Sequence, residues 1–254
     1  MSESNRNLRA LIFGASGGIG SALARQLSAR GWQLSLVARD QGRLDALAVD
    51  LHAEAFSLDA TDSAGVERCL AEVSEKHGRV DGVVNCAGSF LLKPAHLTTD
   101  TEWSAVLAVN LTSAFNILRS ATARMMKTGG GSIVLMSSAV AQRGMINHEA
   151  IAAAKAGVAG LALSAAASYA RYNIRVNSVA PGLTRTPLTQ ALTKNEASLK
   201  LSAAMHPLGR IGEPDEVASA IRWFLSPEQN WVTGQVLGVD GGLSSLQARM
   251  TSNP

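Results

Sequence analysis

Short apolar runs alternate with helical patterns along the whole chain, and this alternation limits the possible folds more than any other feature. Runs at residues 8–13 (LRALIF), 33–37 (QLSLV), 55–58, 80–85 (VDGVVN), 132–136 (SIVLM), 174–179 (IRVNSV) and 235–239 (QVLGV) read as strands. Helical stretches lie between them, among them 21–30, a long one over 101–126 and a very Ala-rich one over 150–170, with two more before the last strand. The strand runs are nearly continuously apolar, as in strands covered on both faces. Seven strands alternating with helices predict an α/β fold with a doubly wound, mostly parallel sheet and helices on both faces. No linker or repeat interrupts the pattern, so the reading is one domain over residues 1–254.

Composition narrows the function classes. Apolar residues make up 46% of the 254, enough for a sizeable core, but aromatics only 4%, so Ala, Val, Leu and Ile must do the packing. The net charge of +3 comes from 23 basic and 20 acidic residues, interspersed, which is too balanced for a nucleic-acid partner. No uninterrupted apolar run reaches ~18 residues, so no membrane span is expected. Residues 1–9 (MSESNRNLR) are polar and lack a signal-peptide core. Cys69 and Cys86 are the only cysteines, too few for a disulfide framework or a zinc site. A reduced, cytoplasmic globular protein without a metal is expected.

Between the first strand and the first helix stands Gly14-Ala15-Ser16-Gly17-Gly18-Ile19-Gly20. Such a turn lets backbone N–H groups approach a pyrophosphate, with the helix N-terminus adding positive potential. The alternative is a merely tight strand-to-helix turn. After the second strand, the position for an acid that binds the adenosine ribose holds Ala38, followed by Arg39. A small residue and a cation suit a 2′-phosphate, so NADP(H) is favoured over NAD; a solvated surface arginine is the competing reading. Asp59 and Ala60, beyond the third strand, are placed to meet an adenine edge, or Asp59 simply faces solvent before a helix.

Taken together, the glycine spacing, the Asp59 segment, Asn85-Cys86-Ala87-Gly88, Asn110, Ser137-Ser138, Lys155 and Pro181-Gly182 resemble, in order, the short-chain dehydrogenase/reductases. The resemblance is strongest to their 3-oxoacyl-acyl-carrier-protein-reductase-like branch. It runs over about residues 8–246 and includes Pro207-Leu208-Gly209-Arg210, Val232-Thr233-Gly234-Gln235 and Val239-Asp240-Gly241-Gly242 near its end. It implies a Rossmann-type domain that binds NADP(H), with Ser16, Gly18, Ile19 and Gly20 at the phosphates. Asn85 and Gly88 then support the sheet edge beside the cofactor, with Ala87 among the cofactor-binding residues, and Pro181, Gly182, Thr184 and Thr186 shape the nicotinamide pocket. Phe13 departs from the family's usual Thr before the first Gly, with little consequence expected. A small-molecule substrate, with an acyl thioester as one option, a homotetramer and a substrate lid over about 186–212 are implied as well.

Members of this family use an Asn, Ser, Tyr and Lys set on a carbonyl or alcohol. Asn110, Ser138 and Lys155 match it; the tyrosine should stand four residues before Lys155, on the same helical face, and that position is Ile151. A shifted pair does not exist, because the only tyrosines, Tyr169 and Tyr172, have no Lys four residues on. Lys155 is the only charge between Ala150 and Ala170, where a helix apolar nearly all round should be buried, and a buried lysine needs a partner such as a cofactor ribose. Ser138 could instead cap a turn, and Asn110 be a satisfied core amide. His148, seven residues before Lys155, is a candidate substitute acid or an ordinary histidine at a helix start. Glu149 complements the helix N-terminus. Three functions stay open: an NADP(H)-dependent ketoreductase-like enzyme with a non-standard proton donor, the same pocket turned to dehydration or isomerisation, or a catalytically impaired partner subunit.

Overall fold

A computed structural model describes residues 8–247. The polar residues 1–7, where no signal-peptide core was expected, lie outside the described residues, as do the last seven.

The strands are β1 (Arg9–Phe13), β2 (Gln33–Ala38), β3 (Glu54–Ser57), β4 (Gly82–Asn85), β5 (Gly131–Met136), β6 (Ile174–Pro181) and β7 (Val236–Val239). They form one sheet in the order β3-β2-β1-β4-β5-β6-β7, and all six pairings are parallel. The expected mostly parallel sheet is therefore wholly parallel. The chain winds outward from β1 in both directions, so the crevice at the carboxyl ends of β1 and β4 is the switch point where such sheets bind ligands.

Each face of the sheet has its own core, because successive side chains of a strand point to opposite faces. Ala10 and Ile12 of β1 pack beneath α1 (Gly18–Ser28), α2 (Gln41–Leu51) and α9 (Pro214–Leu225). Leu11 and Phe13 pack beneath α3 (Ser63–His77), α5 (Ser113–Met125) and α6 (Glu149–Tyr169). Fully burying one such aliphatic side chain contributes ~1.5–3 kcal/mol. This explains how a chain poor in aromatics fills two layers with Ala, Val, Leu and Ile.

The expected helix over 101–126 is not uniform. It consists of α4 (Asp100–Leu107) and α5, joined by a π-helical turn at Ala108–Thr112. Thr99 and Glu102 form a reciprocal cap at the start of α4. The region between β6 and β7 holds three helices where two were expected: α7 (Gln190–Thr193), α8 (Glu196–Met205) and α9. The reason is that α7 is a single turn, too short for a periodic signal.

The membrane expectation needs a correction at α6. That helix, with the turn after it, is long and apolar enough to cross a membrane, with a mean hydropathy of 1.6. A search for an uninterrupted apolar run missed it, since Lys155 and the serines break the run without removing the average. In the fold its Val158, Ala162, Ala165 and Ala166 pack into the core of the sheet.

Candidate active site

A cleft of about 830 Å³ opens at the carboxyl ends of β1, β2, β3 and β4. Its floor is the glycine turn, and the glycines are there because side chains would not fit. Gly14 has φ +74°, and a Cβ there would lie 2.5 Å from the Ala87 amide nitrogen. At Gly20 a Cβ would lie 2.2 Å from the Gly14 carbonyl oxygen; at Gly18, 2.8 Å from the Thr186 Cγ2. Gly17 caps α1 with no side-chain hydrogen bond, and no acid stands in the first turn. The N-terminus of α1 thus points uncapped amides and positive potential into the cleft. Ser16, Ile19, Ala60 and Thr186 line the same space.

The far end of the cleft carries two cations. Arg39, largely exposed, approaches Asp59 at 3.6 Å. Asp40 caps α2 by accepting from the Arg43 amide at 3.1 Å, and its other oxygen accepts from Arg43 Nε at 2.6 Å. Arg43 lines the cleft beside Arg39 and was missed in the sequence. Its spacing of three from a capping Asp was the available signal. Burial opposes ionisation of Asp59, but hydrogen bonds from Thr61 and the Arg39 charge outweigh it and hold the carboxyl below its usual range.

Of the residues expected beside a nicotinamide, Ala87 and Gly88 line the cleft, while Asn85 supports it from behind. Asn85 is buried, accepts from the Ala87 amide at 3.0 Å and donates to Ser113 Oγ at 3.3 Å. Pro181 ends β6. Thr184 is buried and donates to the Gly182 carbonyl at 3.1 Å. These residues hold the wall in shape, while Thr186 reaches the cleft.

Asn110 lies in the π-helical turn, a feature frequent at functional sites. It is almost fully buried; its Oδ1 accepts from the Ser89 amide at 3.2 Å, and its Nδ2 donates to the Val106 carbonyl at 2.9 Å. A Cβ on Gly88 would lie 3.2 Å from Asn110 Oδ1 and 3.7 Å from Lys155 Nζ. Only the bare glycine separates the amide from the ammonium.

Lys155 is 7% exposed and donates to the Met136 carbonyl at 2.9 Å. No carboxylate pairs with it among the described residues, and burial pushes its pKa down to about 8. Burial also pushes the neighbouring Cys86 thiol up to about 12, against the pull of the Lys155 charge. Ser137 Oγ donates to the Lys155 carbonyl at 2.9 Å and anchors that turn of helix. Ser138 Oγ donates to the Pro181 carbonyl at a long 3.5 Å and accepts from the Val140 amide at 3.4 Å, so its hydroxyl is loosely held.

Ile151 is 5% exposed and packs with Val106, Ala150 and Ala154, against Leu107, Leu111 and Val140. Hydrocarbon fills the position one turn before Lys155. His148 sits at the N-cap of α6, and its Nδ1 lies 2.7 Å from the Ile146 carbonyl, a local loop contact. Tyr169 stands 18 residues beyond Ile151, about 27 Å along the helix. Neither tyrosine can reach the vacated place.

A wholly parallel doubly wound sheet with a glycine cradle at its switch point, and buried Asn110 and Lys155 on either side of Gly88, define the class of nucleotide-binding α/β folds. A family model described as Enoyl-(Acyl carrier protein) reductase matches residues 14–244. The 3-oxoacyl-[acyl-carrier-protein] reductase of Thermotoga maritima is 38% identical over 242 residues, covering 92% of this chain and 96% of that one. A short-chain type dehydrogenase/reductase from Mycobacterium ulcerans superposes with a TM-score of 0.91 at 31% identity, over 96% of this chain and 92% of the other. A gluconate 5-dehydrogenase from Burkholderia cenocepacia, in complex with NADP and tartrate, gives 0.90 at 32%, over 94% and 96%. The chain belongs to the short-chain dehydrogenase/reductase family.

Proposed function

We propose that this protein is an NADP(H)-dependent oxidoreductase that acts on a carbonyl or alcohol and exchanges the proton without a phenol. The observation that carries this reading is Lys155: a buried amine with its pKa pushed down to about 8, one glycine away from Asn110 and with Ile151 where the acid would stand. A lysine so placed still carries a proton at neutral pH and can release it readily.

The cleft fits a dinucleotide. The uncapped amides of α1 and the turn through Ser16, Gly18, Ile19 and Gly20 suit a pyrophosphate. Arg39 and Arg43 suit a 2′-phosphate, and Asp59 and Ala60 border the place for an adenine. Ala87, Gly88 and Lys155 would flank the nicotinamide ribose with Asn85 supporting them from behind, and Thr186 would face the ring with Pro181, Gly182 and Thr184 shaping the wall. When bound, the cofactor supplies or accepts the hydride. Ser138, through its loosely held hydroxyl, donates a hydrogen bond to the substrate oxygen. Lys155 gives up the proton that converts the alkoxide to an alcohol, carried by solvent, and Asn110 holds the adjoining backbone in place. His148 is the second candidate donor. Losing a positioned acid costs ~10²–10⁴ in rate, so slow turnover is expected.

The reading extends to a small-molecule substrate, with an acyl thioester first in line because the Thermotoga relative is named for one. It also takes residues 186–212, carrying α7 and α8, as a substrate lid on a single domain. A cytoplasmic homotetramer without nucleic-acid or membrane partners completes it.

Calorimetric titration with both cofactors tests the binding half. NADPH is expected to bind at least ~10-fold more tightly than NADH, as a charge-assisted phosphate contact allows, with Arg39→Ala closing the gap. Equal affinities in the unaltered protein remove the argument. A screen of NADPH oxidation across ketones, β-ketoacyl thioesters and quinones tests the chemical half.

A further inference from the structure

His206 is the most constrained titratable side chain outside the site described above. It follows α8, is 2% exposed, and faces a different partner with each ring nitrogen. Its Nδ1 lies 2.7 Å from the Ser202 carbonyl, which can only accept. Its Nε2 lies 3.3 Å from the Leu183 amide, which can only donate. These partners allow one form of the ring: neutral, protonated on Nδ1, accepting on Nε2.

The ring also fits closely. A Cβ on Gly182 would lie 2.7 Å from His206 Nε2, and one on Gly241 would lie 3.5 Å from the His206 Cβ. Asp240, which lies against Gly182 as His206 does, is occupied: its oxygens accept from the Gly242 and Ser244 amides at 2.9 and 2.8 Å. The imidazole is therefore a strap. One end holds the last turn of α8; the other holds the backbone just after β6.

That backbone leads directly into the cleft. Thr184 and Thr186 follow within three residues, and Thr186 rests against Gly18 at the N-terminus of α1. No residue of α8 is buried, so little else on that helix ties it to the sheet.

We propose that His206 is a positioning residue that couples α8 to the 182–186 wall of the cleft, so that the helix and the cofactor-facing Thr186 move as one unit. It touches neither substrate nor cofactor. This inference rests on the dinucleotide-binding reading for one of its two readouts only.

The test compares His206→Leu, which keeps bulk but has no polar atoms, with His206→Gln, whose amide can accept from Leu183. The first readout is hydrogen exchange at the Leu183 amide and across 182–189 in the protein without ligand. His206→Leu is expected to raise exchange there, and His206→Gln to restore protection. The second readout is calorimetric affinity for NADPH, expected to fall about tenfold in His206→Leu and to recover in His206→Gln, in keeping with the cost of one orphaned buried amide. Ser132→Ala serves as a destabilised control, since it removes a buried bond to the Phe224 carbonyl on the opposite side of the sheet from α6. It should lower the melting temperature and leave NADPH affinity alone. Unchanged exchange in His206→Leu overturns the coupling. So does an affinity loss that Ser132→Ala matches at equal destabilisation. If the parent protein binds no NADPH, the dinucleotide reading fails while the exchange result still decides on His206.

Discussion

Ile151 decides what the site can do at the scale of single residues. The family resemblance implies a tyrosine one turn before the lysine; here that position is closed into hydrocarbon from α4, the π-helical turn and the 138–141 segment. Ile151→Tyr would bring a phenol within reach of Lys155, since residues four apart share a helix face, and the ammonium would favour its ionised form. Turnover of a simple β-ketoacyl thioester is expected to rise ~10²-fold. The accompanying loss of stability is ~1–3 kcal/mol from overpacking. Adding Lys155→Ala to that variant should erase the gain. A variant that folds and binds NADPH but gains nothing on any ketone would mean that the pocket serves non-redox chemistry.

Lys155 makes a second prediction at the same scale. Its folded pKa, about 8, lies below its ordinary value of 10.5, so the unfolded chain holds the proton more tightly. Stability linked to this residue therefore rises with pH from about 8 and is complete by about 10.5. Urea unfolding of the wild type and of Lys155→Met should diverge in the wild type's favour across that window. Parallel curves would mean that the amine is not desolvated in the folded state.

Elements set how these residues meet. The π-helical turn at Ala108–Thr112 adds one residue to a helical circuit and so aims Asn110 at Gly88 and Ser89. At α1, two glycines that look alike in the sequence carry different burdens. A Cβ on Gly20 would strike the Gly14 carbonyl, part of its own turn, whereas one on Gly18 would strike the Cγ2 and Cβ of Thr186, so that the 186–187 segment of the cleft wall must shift. Gly20→Ala should accordingly unfold at markedly lower denaturant. Gly18→Ala should keep its midpoint nearly unchanged and lose NADPH affinity, because Thr186 is displaced from the cleft wall. Matching stability losses in the two variants, measured by urea titration, would contradict this division.

For the whole molecule, large apolar side chains are left uncovered among the described residues, and two places bear on assembly. Phe115 of α5 and Leu163 of α6 are about half exposed on one side, and Trp231 is 96% exposed beside the open edge strand β7 on another. Two separate patches of this kind would let the proposed tetramer assemble as a dimer of dimers by closed symmetry. Light scattering at micromolar concentration is expected to give four times the chain mass, with Leu163→Glu and Trp231→Glu each stopping assembly at dimers. A monomeric parent protein would be at odds with the proposal.

The family resemblance marked Asn110, Ser138, Lys155 and Ile151, and local pattern marked the seven strands, their sheet and the glycine turn. These rest on local periodicity and spacing, which survive folding because each strand and turn answers mainly to its own residues. Three features depend on contacts between distant parts of the folded chain. The fold supplied the partners of Asn85, expected as a support beside the cofactor: the Ala87 amide and Ser113 Oγ. It brought Arg43 beside Arg39, and His206 against Leu183 some 23 residues away. It gave the His148 ring a contact with the Ile146 carbonyl of its own loop. Helix phase gives the face of a residue and not its depth or its partner across the chain, and those depend on contacts that form only when the whole sheet is covered.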